Sequence, residues 1–266
     1  MSEVFNFKRF WTYFKYDLKQ MWRNHSKVAV VIGGSVAILY IIWVLFSLVF
    51  SQTWTAPHLF ARYFMFGLAL MILEFYQTRT YGFLTEKKAG SAWLMIPASR
   101  AEKFVSMLLM TLIVIPVLFV VVFFLLDGFL SLVDPTYGQS LIGSIAEFSS
   151  ALPAINVNSP VIFTFSAFLL MSVLSCFFNF LYFLLCGICF KRFKILLAIA
   201  ISFGFSLILL LILGTILSSK GVIVINDDMQ GARILAGFLN GADVICALIS
   251  IGLGWGIWRR IKTIQH

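Results

Sequence analysis

Residues Val28–Phe50 form a run of 23 residues without a single charge. About 20 apolar residues are enough for a helix to cross the hydrocarbon core of a bilayer. Inside that core each backbone amide must find its partner within its own segment, so the run reads as a transmembrane helix. Five further stretches follow, at 58–77, 104–126, 161–190, 195–217 and 234–258. The chain is 61% hydrophobic and 12% charged, against roughly a quarter charged in soluble proteins. The expected fold is therefore all-α: a polytopic membrane protein with six transmembrane helices and an N-terminal interfacial amphipathic helix. No polar segment is long enough for the ~50 residues of an ordinary soluble domain. The expected organisation is an N-terminal element over 1–27 and a six-span domain over 28–266. The second stretch is the least apolar, with Arg62 and Glu74 inside it. The third contains Pro116 and is expected to kink there. The fourth, at 30 residues, must tilt or extend beyond the hydrocarbon.

The basic residues orient these spans. Six of them (Lys8, Arg9, Lys15, Lys19, Arg23, Lys27) precede the first span. Arg79, Lys87, Lys88, Arg100 and Lys103 lie between the second and third. Lys191, Arg192 and Lys194 fill the turn between the fourth and fifth, and Arg259, Arg260 and Lys262 end the sixth. With the N-terminus inside, 17 of the 20 Lys and Arg are cytoplasmic, and only Arg62, Lys220 and Arg233 are outside. The positive-inside rule then places both termini in the cytoplasm. It also accounts for the net charge of +9 without a nucleic-acid partner. The connection from Asp127 to Pro160 contains Asp127, Asp134 and Glu147 and no Lys or Arg, as an outer segment should.

Residues 1–27 lack the short basic start and apolar core of a signal peptide. Instead Phe7, Phe10, Trp11, Phe14, Leu18, Met21 and Trp22 recur at helical spacing, with Lys8, Arg9, Lys15 and Lys19 mostly opposite. An aromatic stripe with a basic back describes a helix lying in the membrane interface. A helix packed against a soluble partner is the compatible alternative.

The loop Thr78–Phe104 is the one extended cytoplasmic connection through which a soluble partner could act. Its second half has a local signature: Ser99-Arg100-Ala101-Glu102 is a capping box, in which Ser99 accepts from the Glu102 amide and Glu102 reaches back. Pro97 disfavours helix at Ile96 and marks a boundary. The third span thus starts as an ordered helix, suited either to act as a lever or simply to enter the bilayer.

Catalytic chemistry is poorly represented. The three His (His25, His58, His266) lie at span edges or at the chain end, and no H-E-x-x-H occurs. No embedded His is available to a Ser–His pair. Cys176, Cys186, Cys189 and Cys246 all lie in apolar runs and read as small hydrophobes. No G-x-x-x-x-G-K-[S/T] is present, so ATP is not bound through a P-loop in this chain. Glu74 and Asp243, with Asn240 one turn from the latter, are the ionisable and polar groups at membrane depth that need a reason to be there. They are the basis of an alternative, a self-contained ion-coupled secondary transporter. A membrane scaffold with no transport of its own is a third reading. Gly237-x3-Gly241 and Gly252-x3-Gly256 permit close helix packing within the chain or between copies.

The overall plan, together with Leu94-Met-Ile-Pro-Ala-Ser-Arg-Ala-Glu-Lys-Phe104, resembles the membrane (permease) subunit of bacterial ABC transporters of the type 2 exporter class. The specific part of the resemblance is about a dozen residues. It implies that Phe7, Phe10, Trp11 and Phe14 belong to an elbow helix. It implies that Thr85, Glu86, Lys87, Lys88 and Trp93 form the coupling region for a separate ABC ATPase. It also implies a second permease copy or homologue, membrane lipids as neighbours, ATP and magnesium on the ATPase chain alone, and a location in the bacterial inner membrane. The chain departs from the family between the fifth and sixth spans, where Ser218–Arg233 is too brief and polar for the re-entrant helices seen in many members.

Overall fold

Uncharged runs of this length have one way to satisfy their backbone, and the chain takes it. The computed structural model describes residues 5–151, 160–219 and 228–263. Every regular element among them is helical. The helices are α1 (Phe7–Gly33), α2 (Ser35–Ser51), α3 (Leu59–Thr80), α4 (Lys87–Met95), α5 (Arg100–Leu109), α6 (Ile115–Val133), α7 (Leu141–Ala151), α8 (Pro160–Cys189), α9 (Lys194–Ser219) and α10 (Asp228–Thr263). Half of the connection expected at Ser218–Arg233, residues 220–227 with Asp227, lies outside the described residues.

Four stretches among the described residues are long and apolar enough to cross a membrane: Leu59–Thr85, Arg100–Val133, Leu169–Cys189 and Leu239–Thr263. Two shorter apolar helices, Ser35–Phe50 and Lys194–Ile208, accompany them. The side-chain distribution is that of a membrane protein. Ile41, Ile42, Phe46, Val49 and Phe50 of α2 are exposed, whereas Arg62, Glu74, Gln77, Glu102, Asp127 and Asp243 are buried. Lipid is the solvent that tolerates this inversion.

The expected first span, 28–50, is divided. Helix α1 continues past Lys27 as far as Gly33, and α2 begins only at Ser35. The two glycines at the junction are there for space: a Cβ on Gly33 would stand 2.8 Å from a Val122 methyl group, and one on Gly34 would stand 2.9 Å from the Val30 carbonyl oxygen. The kink expected at Pro116 is spread over the turn before it. Met110–Val114 is a π-turn in which the Ile115 amide donates to the Met110 carbonyl. Proline has no amide to donate and its ring crowds the carbonyl four residues back. A wider turn at this point relieves both.

Two compact units divide the chain: Met1–Tyr76 with Pro97–Ala154, and Gln77–Ile96 with Ile155–His266. In the first, α1 packs on α5 and α6, and α2 and α7 pack on α6. Phe66, Phe119 and Phe123 form an aromatic core there. In the second, α10 runs along α8, and the short turn after α3 packs on α8. The small-residue patterns of α10 contribute little to that packing. A Cβ on Gly237, Gly241 or Gly252 would meet nothing within 4 Å, and one on Gly256 would make only an ordinary contact with Leu185. The cysteines are free thiols, with Cys186 buried, Cys176 and Cys246 half-buried and Cys189 exposed.

Candidate functional site

The loop Thr78–Phe104 divides between the two units at Ile96/Pro97. Its first part is a folded segment of the second unit. Gly82–Thr85 forms a 3-10 turn, closed by the Thr85 hydroxyl donating to the Gly82 carbonyl at 3.0 Å. Tyr81 and Leu84 are buried beneath it. Glu86 is extended and starts α4, which ends at Ile96, where Pro97 forces an extended backbone.

Two contacts fix this segment to the helices of its unit. The Lys194 ammonium donates to the Gly82 carbonyl at 2.5 Å and to the Thr85 hydroxyl at 2.9 Å. Gly187 of α8 lies against the backbone of Thr78, so close that a Cβ would stand 2.5 Å from the Thr78 oxygen. Of the five residues expected to form the coupling region, Thr85 is therefore held from behind by Lys194, and Trp93 is buried as an anchor rather than presented outward. Glu86 is exposed. The side chains of Lys87 and Lys88 lie outside the described residues, although their backbone opens α4.

Ser99 and Glu102 belong to the first unit and form the expected capping box. The Glu102 amide donates to the Ser99 hydroxyl at 3.2 Å, and the Ser99 amide to the Glu102 carboxylate at 2.8 Å. Glu102 has a second role that the motif does not reveal. It accepts the Asn6 amide at 2.8 Å and the Arg9 guanidinium at 2.6 to 3.0 Å, so the start of α1 is tied to the start of α5. Ser106 adds a parallel tie, donating to Asp17 at 2.7 Å. The elbow aromatics consequently separate. Phe10 is buried, Phe14 is half-buried and stacks on both Phe10 and Trp11, and Phe7 and Trp11 are exposed.

Among the expected intramembrane polar residues, Glu74 is buried in the first unit and Asp243 in the second. Asn240 is exposed. Both carboxylate oxygens of Asp243 are buried without a hydrogen-bond partner among the described residues. The amide of Gln77, in the same unit, is likewise unpartnered at both ends.

Sequence reasoning missed a polar centre where α3 begins and α6 ends. Arg62 is 2% exposed and Asp127 is fully buried. The Arg62 guanidinium donates to Asp127 at 3.1 Å and to the carbonyls of Tyr137 and Gln139 at 3.3 and 2.9 Å. It also lies 4.1 Å from the centre of the Tyr137 ring. Asp127 accepts further from the Tyr137 hydroxyl at 2.8 Å and the Leu141 amide at 2.6 Å. Burial, then the Asp127 carboxylate beside it, pushes the Tyr137 phenol well above its ordinary value. Asp134 collects Tyr40, the Trp54 indole and Thr136 at 2.7 to 3.0 Å. Burial alone would raise its carboxyl, but these donors outweigh it and hold the group at about 2. A cavity of about 470 Å³ opens beside this centre, lined by Trp54, His58, Arg62, Gln139 and Ser144 among others. The available signal was Arg62 itself, one of few cations on an acid-bearing side, which needed a carboxylate nearby.

No protein-family model, curated protein or solved structure matches this chain.

Proposed function

We propose that the chain is the non-catalytic permease subunit of an ATP-driven bacterial exporter. In this reading six spans cross the inner membrane with both termini inside, α2 and α9 supplying the two crossings beyond the four long apolar stretches. Two copies, or one copy and a homologue, enclose the pathway. A separate ATPase, carrying ATP and magnesium, drives alternating access through the segment 82–95. The observation that carries the reading is the construction of that segment. A loop that only connects two spans needs no fixed shape, whereas a loop that transmits force must be ordered and attached to the helices it moves. Here the 3-10 turn is held by Lys194, the end of α3 by contact with Gly187, and α4 by buried Trp93. The basic bias of the expected cytoplasmic parts and the missing P-loop agree with it.

The test is gentle purification of the tagged chain followed by mass spectrometry of its companions, with a Lys87→Glu/Lys88→Glu variant alongside. An ATPase that accompanies the wild type and is lost from the variant is the expected result. A chain that moves substrate on an ion gradient with no ATPase present would refute the reading.

One observation favours a second reading. Asp243 lies buried in a long apolar helix with no hydrogen-bond partner among the described residues, and an ionisable side chain at such a depth is the kind of group an ion-coupled transporter uses. Asp243→Asn and Glu74→Gln decide between the two. Unchanged transport supports the ATP-driven subunit, and lost transport with intact assembly supports proton coupling.

A further inference from the structure

Helix α1 carries three distinct faces over residues 7–23, and only one of them is covered by protein. Phe10, Tyr13, Asp17 and Met21 are buried. At about 100° per residue they form a single sector, the side from which Asp17 accepts Ser106 of α5. Next to it Phe7, Trp11, Leu18 and Trp22 are exposed, within roughly 60° of one another. Beyond these lie Lys8, Lys15, Lys19 and Arg23, all exposed, across about the next 80°.

The charge balance of the third face is one-sided. Arg9, the remaining cation of this segment, turns away to Glu102. Asp17, the one acid among the described residues of α1, is buried on the opposite side. Lys8, Lys15, Lys19 and Arg23 thus form a row of four cations with no carboxylate among them. Lys15 lies 5.6 Å from the centre of the Trp11 ring, so the cationic row borders directly on the aromatic one. Exposed aromatic residues flanked by uncompensated cations on a single helix match the depth profile of a leaflet surface. The rings suit the acyl boundary, and the cations suit the headgroups.

We propose that this face of α1 is a contact site for anionic lipid headgroups, with Lys8, Lys15, Lys19 and Arg23 as the headgroup ligands and Phe7, Trp11, Leu18 and Trp22 seated beneath them. The shared chemistry is a phosphodiester lipid carrying net negative charge. Zwitterionic lipids present the same acyl region without net attraction for the row. The inference rests on the chain being embedded in lipid and is independent of what, if anything, it transports.

The experiment is spin-label resonance on the full chain reconstituted in phosphatidylcholine, with trace spin-labelled phosphatidylglycerol or phosphatidylcholine reporting the motionally restricted shell. The restricted shell is expected to favour phosphatidylglycerol at least about threefold at low ionic strength. The preference should fall towards one at about 1 M salt, where the Debye length is ~3 Å. A Lys8→Gln/Lys15→Gln/Lys19→Gln/Arg23→Gln variant should lose the preference. A variant neutralised at four other exposed cations (Arg79, Arg100, Lys191 and Arg192) should keep it. Should the fourfold neutralisation fail to fold, Lys15→Gln/Lys19→Gln alone is expected to lower the preference by at least a third. Retained preference in the helix variant, or equal loss in the control, overturns the proposal. So does a full chain without lipid preference whose α1 variant instead loses a co-purifying protein, since the row would then face that partner. A restricted shell without selectivity sinks this proposal alone, whereas no restricted shell for either lipid sinks the membrane reading with it.

Discussion

The two units of this chain differ in how their buried carboxylates are partnered. Among the described residues of the first unit, the buried groups left without a partner are single atoms: the Ser35 hydroxyl, the Arg62 Nε and the Thr111 hydroxyl. Its carboxylates Glu102, Asp127 and Asp134 each collect three or more donors. In the second unit a whole carboxylate, Asp243, and a whole amide, Gln77, have no partner among the described residues. Packing of α10 and α9 on α8, the approach of Gly187 to the Thr78 backbone, the Lys194 contacts and the Tyr182 hydroxyl on the Ala198 carbonyl are among the ties of that unit. Hydrogen-bonded knots admit few arrangements, because shifting one residue breaks several bonds together. Apolar helix faces in lipid have no such penalty for small adjustments. The carboxylate knots of the first unit therefore fix its register, a device that Asp243 does not provide among the described residues of the second.

Breaking the Arg62–Asp127 pair should produce the largest effect. Asp127→Ala leaves a guanidinium buried without its counter-charge and should cost about 3–5 kcal/mol, read as a lower midpoint of unfolding in mixed micelles. Replacing both residues by Leu should recover much of that loss, since removing a buried pair together is far less damaging than orphaning one member. If the single and double changes are equally harmful, the centre is not the register-keeper described above. In the second unit, Lys194→Met should cost roughly 1.5–3 kcal/mol, the range for hydrogen bonds to a charged group. Its sharper readout is faster hydrogen exchange confined to residues 82–85, and uniform exchange would argue against a local clamp.

Gly187→Ala tests a second contact of that unit. The added methyl meets backbone rather than a yielding side chain, so about 1–3 kcal/mol is expected. The same substitution at Gly241, which faces open space, should lie near zero or slightly stabilise α10. The smallest effect concerns pH. Asp134 titrates lower in the folded chain than in the unfolded one, so its contribution is present above about pH 4 and is lost as pH falls towards 2. Melting curves between pH 6 and 2.5 should therefore be shallower in pH for Asp134→Asn than for the wild type.

Features that depend on neighbours in sequence were legible beforehand. The apolar runs announced the helices, Ser99 and Glu102 announced their cap, and Pro97 announced the end of α4 at Ile96. What escaped was every tie between distant residues. Glu102 holds Arg9 across 93 positions, Arg62 holds Asp127 across 65, and Lys194 reaches Gly82 across 112. No periodicity encodes such pairs. Helical spacing put Phe7, Phe10, Trp11 and Phe14 on one stripe, but only packing against α5 decided that Phe10 would turn inward. The break within the first expected span escaped for a related reason. Hydropathy continues smoothly through Gly33 and Gly34, whereas the helix breaks at Gly34, beside the glycine on which Val122 packs.

The wide turn at Met110–Val114 has a consequence for the phase of the whole third stretch. One residue more than an α-helix requires is accommodated there, which rotates everything after it by about 100° relative to everything before. Ser106, which binds Asp17 on α1, and Asp127, which binds Arg62 on α3, are therefore set to their separate partners by a single inserted residue. Deleting one position between 110 and 114 would leave composition and hydropathy almost untouched. It would nevertheless put those two side chains out of step, so that the stretch could satisfy one partner or the other but not both.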